Sequence, residues 1–251
     1  MTADLLDALE ARSGIVCAIG AGGKKTTMYA IAGHHPGRVA ITATVHIPYF
    51  PQDLAAVQVV DPEADLLDSL ASVGEARCVA YACPGNKAGR FAGVGPALIR
   101  RIHDQFGFDL TLVKADGARM RWLKAAKPGE PVLPPGTETI LVVVSARAIG
   151  EPLGERTAQR PERVARVTGA VVGRPFSPQH LARLVTCDGG LLSGTGNTRV
   201  IPVINMVDDR TRRRLAIEAA DSMLAASTRF DRVVLAQMRH VSDPLVDVIR
   251  R

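Results

Sequence analysis

A chain of 251 residues, 47% apolar and 22% charged, is long enough for one large domain and too apolar for wholesale disorder. Only 4% is aromatic, so the core has to be aliphatic, a palette that suits parallel strands buried beneath helices. A formal charge of +6 favours anionic partners, but its densest cluster, Arg210 and Arg212 to Arg214, reads as well as a solvated helix face, and it makes little case for nucleic acid.

The N-terminal stretch "MTADLLDALEARSG" reads as an opening helix with Thr2 as its N-cap and lacks the basic-then-apolar order of a signal peptide. No apolar run is long enough to span a bilayer, and Cys17, Cys78, Cys83 and Cys187 are scattered without a CxxC pair. The expectation is a cytoplasmic protein in a reducing compartment, with no membrane partner. Apolar, β-branched runs then recur at 14–19, 38–43, 55–60, 76–81, 110–115, 139–144, 199–205 and 231–237. Helical patterns lie between many of them, at 25–33, 63–73, 96–106 and 209–227. This alternation predicts an α/β fold, a mainly parallel sheet with helices on both faces, as a single domain over 1–251. Segment 146–198 has weaker strand signals and reads as a helical insertion or a lid, while 83–96 and 127–138 are Pro- and Gly-rich loops. Ligands of such sheets sit beyond the carboxyl ends of the strands, which is where the motifs fall.

The first strand runs into "GAGGKKTTMYAIA", residues 20–32. A dinucleotide fingerprint would need a third glycine where Lys25 stands and an acid after "ITATVH", so an NAD or FAD site is not supported. The phosphate-loop spacing is also imperfect, with Lys24 where glycine belongs and Ile19 where the first glycine belongs. The chemistry still works in outline: Gly20, Ala21, Gly22 and Gly23 can turn amides inward ahead of a helix N-terminus. Lys24 belongs to the same loop, Lys25 can reach the outer phosphates, and Thr26 or Thr27 can ligate Mg2+. A tight strand-to-helix turn with solvated lysines is the plain alternative.

Asp116 closes the strand "LTLVKAD" where a Walker-B-type aspartate would hold Mg2+, and Gly117 permits close approach of a phosphate; an ordinary Asp-Gly turn is the alternative. Asn205-Met206-Val207-Asp208 is similar to the Asn-Lys-x-Asp element with which GTPases read guanine, although Asp208 would equally cap the helix that follows. Thr42 and Thr44 follow the second strand, near where switch threonines approach metal and γ-phosphate. No histidine set has metal spacing and no Ser-His-Asp or Cys-His pattern stands out.

Five stretches together, "GAGGKKTT", "ITATVHIP", "ADGARMRWLKAAKPGEPVLP", "AIGEPLGERTAQRPERVARVTG" and "GLLSGTGNTRVIPVINMVDD", resemble the YqeC family, accessory proteins of selenium-dependent molybdenum hydroxylases. The resemblance implies a P-loop NTPase-like three-layer sandwich and a part in maturing or inserting the selenium-modified molybdenum cofactor. It implies Mg2+ and GTP or ATP as cofactors, and a molybdenum hydroxylase or its cofactor-handling proteins as partners. By position, Gly20, Gly22, Gly23, Lys25 and Thr26 would form the phosphate loop, with Thr26, Asp116 and Thr44 toward the metal. Arg119, Lys124 or Arg160 would cover the phosphates, Glu130 and Pro131 match the segment after Lys124, and Asn205 and Asp208 match the base-reading element. Two lysines stand where the family has one, and Lys114 stands where a glutamate usually precedes Ala-Asp-Gly. Both departures favour an alternative role, a non-catalytic chaperone or scaffold with a degenerate nucleotide site.

Overall fold

The computed structural model describes residues 4–251. Its strands are β1 (Gly14–Gly20), β2 (Val39–Ala43), β3 (Ile47–Pro48), β4 (Val57–Val60), β5 (Cys78–Lys87), β6 (Arg90–Ala92), β7 (Leu110–Lys114), β8 (Leu123–Lys124), β9 (Thr137–Ser145), β10 (Ala158–Gln159), β11 (Arg199–Asn205), β12 (Arg232–Ala236) and β13 (Leu245–Arg250). Its α-helices are α1 (Leu5–Leu9), α2 (Lys24–His34), α3 (Leu66–Ala71), α4 (Pro96–Phe106), α5 (Pro161–Thr168), α6 (Pro178–Thr186) and α7 (Arg210–Ala226). Asp4 caps α1, its side chain accepting from the Leu6 N–H; the expected cap Thr2 lies outside the described residues.

Every residue of β1 is buried, as an aliphatic strand covered on both faces must be. Alternate side chains go to opposite layers. Ile15, Cys17 and Ile19 join a core with Leu66, Ile99, Leu181 and Met223, from α3, α4, α6 and α7. Val16 and Ala18 join a second core with Leu5, Leu9, Met28 and Ile31, from α1 and α2. The result is an α/β fold whose mixed, mainly parallel sheet is flanked by helices. The sheet runs β13-β12-β11-β9-β1-β7-β2-β5-β6-β3, with β4 also on β5; β3, β6 and β13 pair antiparallel to their neighbours.

Two features of this order place the site. β1 lies between β7 and β9, with Ala18 opposite Lys114 and Gly20 opposite Val143. The chain leaves β1 for β2 on one side and later crosses from β7 over β1 to β9 on the other. Such a reversal opens a crevice beyond the carboxyl ends of the strands. Segment 146–198, expected as a helical insertion or a lid, carries α5 and α6 and sends Leu153, Phe176, Leu181, Leu184 and Leu191 into one of the two cores. Segment 83–96, expected as loop, contains the end of β5 and its antiparallel partner β6. All four cysteines are free, and among the described residues no helix is long and apolar enough to cross a membrane.

Candidate anion site at the end of the sheet

The bend between β1 and α2 is built by close approach. Gly20, Gly22 and Gly23 all have positive φ, and a Cβ on Gly22 would meet the Ser145 side chain while one on Gly23 would meet the Asn205 amide. The Gly20 N–H donates to Asp116 Oδ2 at 2.8 Å and the Ala21 N–H to the Val143 carbonyl at 2.9 Å, tying the bend to β7 and β9. Helical bonding starts at Thr27, whose N–H reaches the Gly23 carbonyl at 2.9 Å. Among the described residues no acceptor meets the N–H groups of Gly22, Gly23, Lys24, Lys25 and Thr26. Orphan amides at a helix start carry partial positive charge and suit an anion.

Beneath the bend lies a charge-balanced cluster. Lys24 Nζ donates to the Gly20 carbonyl and sits 2.9 Å from Asp116 Oδ1. Lys124 Nζ sits 3.0 Å from Asp116 Oδ2 and 2.5 Å from Glu130 Oε2. Burial opposes ionisation of Asp116, but the ammonium groups of Lys24 and Lys124 and the Gly20 N–H outweigh it and hold the carboxyl below its ordinary range. Two carboxylates, Asp116 and Glu130, thus face two ammonium groups.

Above this cluster opens a cavity of about 330 Å³, lined by the Gly22–Thr26 backbone turn and by Gly117. Lys25, Arg90, Lys114, Arg119, Arg121 and Arg239 also line it, and no carboxylate does among the described residues. Lys114, nearly buried, donates to the His46 carbonyl at 2.9 Å; burial, reinforced by Lys24, pushes its pKa down to about 7. Burial and the neighbouring Arg90 also lower the pKa of half-buried Lys25. A smaller adjoining cavity, about 100 Å³, is lined by Asn205, Asp208 and Met238, and Thr26, Trp122, Met206 and Arg239 line both. The Arg147 guanidinium lies 4.8 Å over the Trp122 ring.

Several expected residues stand elsewhere than their assigned roles require. Lys124 is buried under Asp116, not over the cavity, so it braces the acid instead of covering a phosphate. Arg160 is exposed at the N-cap of α5, away from the cavity lining. Asn205 lines the smaller cavity, and one of its Nδ2 hydrogens is donated to the Gly22 carbonyl at 2.9 Å while its Oδ1 accepts from the Met238 N–H at 3.1 Å. It is a clamp between β11 and the bend. Asp208 does not cap α7; Asp209 does, accepting from the Arg212 N–H at 2.8 Å, while Asp208 pairs with Arg212 at 3.2 Å. Thr42 is fully buried in β2. Lys25, Thr26, Gly117 and Arg119 do gather around the cavity. Lys114, Arg90, Arg121 and Arg239 were not expected there, and only Lys114 carried a signal: a lysine closing an apolar strand.

The metal implied by the phosphate-loop resemblance does not fit this donor set. Mg2+ asks for near-octahedral oxygen ligands, usually with a free carboxylate. Asp116 Oδ2 accepts from the Gly20 N–H and pairs with Lys124, its Oδ1 accepts no hydrogen bond but lies 2.9 Å from the Lys24 ammonium, and the hydroxyls of Thr27 and Thr44 donate to the Gly23 and Val132 carbonyls at 3.1 and 2.7 Å. Among the described residues no group of three or more His, Cys, Asp or Glu side chains gathers to hold a metal.

Comparison with known proteins agrees with the motifs around this bend. The family model described as YqeC protein matches residues 16–162, which takes in the bend, Asp116 and Lys124 but stops short of Asn205 and Asp208. The uncharacterized protein YqeC of Escherichia coli strain K12 is 24% identical over 181 residues, 69% of this chain and 68% of its own length. No solved structure matches the chain. With more than half of its length matched by the family model, the chain belongs to the YqeC family.

Proposed function

We propose that this protein binds the polyphosphate of a nucleoside triphosphate, GTP or ATP, against the bend between β1 and α2. One observation carries the reading: the consecutive unaccepted amides of Gly22 to Thr26 open on a cavity rich in Lys and Arg and free of carboxylate among the described residues. Such a cradle meets phosphate oxygens with both directed donors and net positive charge. Lys25 and Arg119 contact the phosphate chain, and the base lies toward Trp122, Met206 and Met238, where the Asp208 carboxylate is the acceptor available to a guanine edge.

The wider role follows from the resemblance: an accessory protein in maturing or inserting the selenium and molybdenum cofactor of a molybdenum hydroxylase. Within that role, the neutralised Asp116 favours a binding scaffold over an enzyme that turns the nucleotide over. An acid held by Lys24 and Lys124 is not free to hold a catalytic metal or to accept a proton.

Isothermal titration with GTP, ATP and CTP tests the binding. The expected result is saturable heat with a purine nucleotide that Lys25→Ala weakens while the protein stays folded. Absence of heat with all three nucleotides overturns the reading. Lys25-dependent release of phosphate from a bound nucleotide overturns the scaffold role and leaves the binding intact.

A further inference from the structure

We propose that the site takes its polyphosphate without a divalent ion, the side chains of Lys25 and Lys114 supplying the positive charge that a metal would bring. This rests on the nucleotide reading and adds to it the ionic form of the ligand.

Three observations converge. First, the acid best placed to hold a metal is already used. Asp116 contacts Lys24 at 2.9 Å and Lys124 at 3.0 Å, accepts from the Gly20 N–H at 2.8 Å, and is almost wholly buried. A metal would have to displace an ammonium group from a cluster in which Asp116 and Glu130 balance Lys24 and Lys124, leaving that ammonium buried without its partner. Second, the cavity wall presents ammonium groups where an ion would approach. Lys25 and Lys114 both line it, together with Arg90, Arg119 and Arg239, and no acidic side chain lines it among the described residues. A dication entering this field is repelled, whereas a free triphosphate is attracted more strongly than its metal complex, which has lost half its charge. Third, the neighbouring hydroxyls do not assemble a substitute: Thr27 and Thr44 face backbone carbonyls, which leaves Thr26 alone at the cavity.

Lys114 is held in place for this task. Its ammonium group leans on the His46 carbonyl at 2.9 Å, and that carbonyl follows β2, whose end is hydrogen-bonded alongside β7. The position is fixed before the ligand arrives, so little side-chain entropy is lost on binding.

The test is a set of titrations with ATP, GTP and inorganic tripolyphosphate, each in excess EDTA and in excess MgCl2, on the whole protein and on Lys25→Gln and Lys114→Met. The expected result is binding in EDTA as tight as in MgCl2 or tighter. Each substitution should weaken the EDTA affinity about tenfold, the loss of one charge-assisted contact. Lys25→Gln, at a half-exposed position, keeps the test open should Lys114→Met fold poorly. Binding that requires MgCl2, or is more than about tenfold tighter in it, overturns the proposal and leaves the nucleotide reading standing. No binding of any of the three ligands in either buffer overturns both. Tripolyphosphate that binds like the nucleotides assigns the affinity to the phosphate chain, as the proposal requires; nucleotide binding without any tripolyphosphate binding overturns it.

Discussion

Four lysines crowd the carboxyl end of the central strands, and they divide into two pairs by whether a carboxylate lies within ion-pair distance. Lys24 and Lys124 are buried and share two carboxylates, so their charge is spent inside the protein. Lys25 and Lys114 line an open cavity, and no carboxylate lies within ion-pair distance of either among the described residues. Identical side chains thus have different partners: one pair ties the ends of β1 and β7 together through carboxylates, and the other has no carboxylate partner among the described residues. A lysine at a glycine-rich bend is evidence of ligand binding only when its charge is not already answered within the fold.

That contrast can be broken most sharply from the structural side. Lys124→Met removes one of the two cations over Asp116, and stripping one partner from a buried charge cluster costs about 3–5 kcal/mol. Denaturant unfolding should show a loss of that order; a loss indistinguishable from that of an exposed lysine would mean that the cluster does not brace the site. From the ligand side, Lys25→Ala should leave unfolding unchanged and weaken nucleotide binding by about 1.5–3 kcal/mol, the range for a charged hydrogen bond. If stability falls instead, Lys25 belongs with the structural pair. Asn205→Ala deletes the clamp on Gly22 and should cost about 1–3 kcal/mol of stability while affecting GTP and ATP affinity equally. A selective loss of GTP would restore the base-reading role to Asn205.

The smallest effect is a slope with pH. In the folded protein Lys114 loses its proton near 7, whereas the unfolded chain keeps it to the ordinary value of 10.5. Between those values the unfolded state binds more protons, so stability should rise with pH across the window. It should fall as pH drops back, until below about 7 both states are protonated. Each such group contributes at most about 1.4 kcal/mol per pH unit, and Lys24 and Lys25, whose pKa values burial also lowers, act in the same direction. Lys114→Met should reduce it, as followed by unfolding at several pH values; an unchanged slope would show that Lys114 does not contribute.

How far the sequence could be read differs from element to element. The runs at 14–19, 139–144 and 199–205 announced β1, β9 and β11 because strands covered on both faces need unbroken aliphatic stretches. The run 96–106 matched α4 at both ends, where Pro96 and Gly107 mark its boundaries. Segment 146–198 was read as helical or a lid, but the bounds of α5 and α6 were not drawn because they are short, although Ser177-Pro178 carried a start signal. β13 escaped because an edge strand is only partly buried, so its apolar pattern is weak.

At the site, sequence alone determined that glycines, lysines and an aspartate would meet beyond the first strand, since local spacing sets which residues share a strand end. Only the tertiary structure decided which lysine answers which charge. Lys24 and Lys25 are neighbours in the chain and both line the cavity, yet of the two only Lys24 pairs with Asp116. Lys124 reaches the same acid from a different segment altogether. Burial and ion pairing depend on what the rest of the chain brings alongside, and no local pattern carries that information.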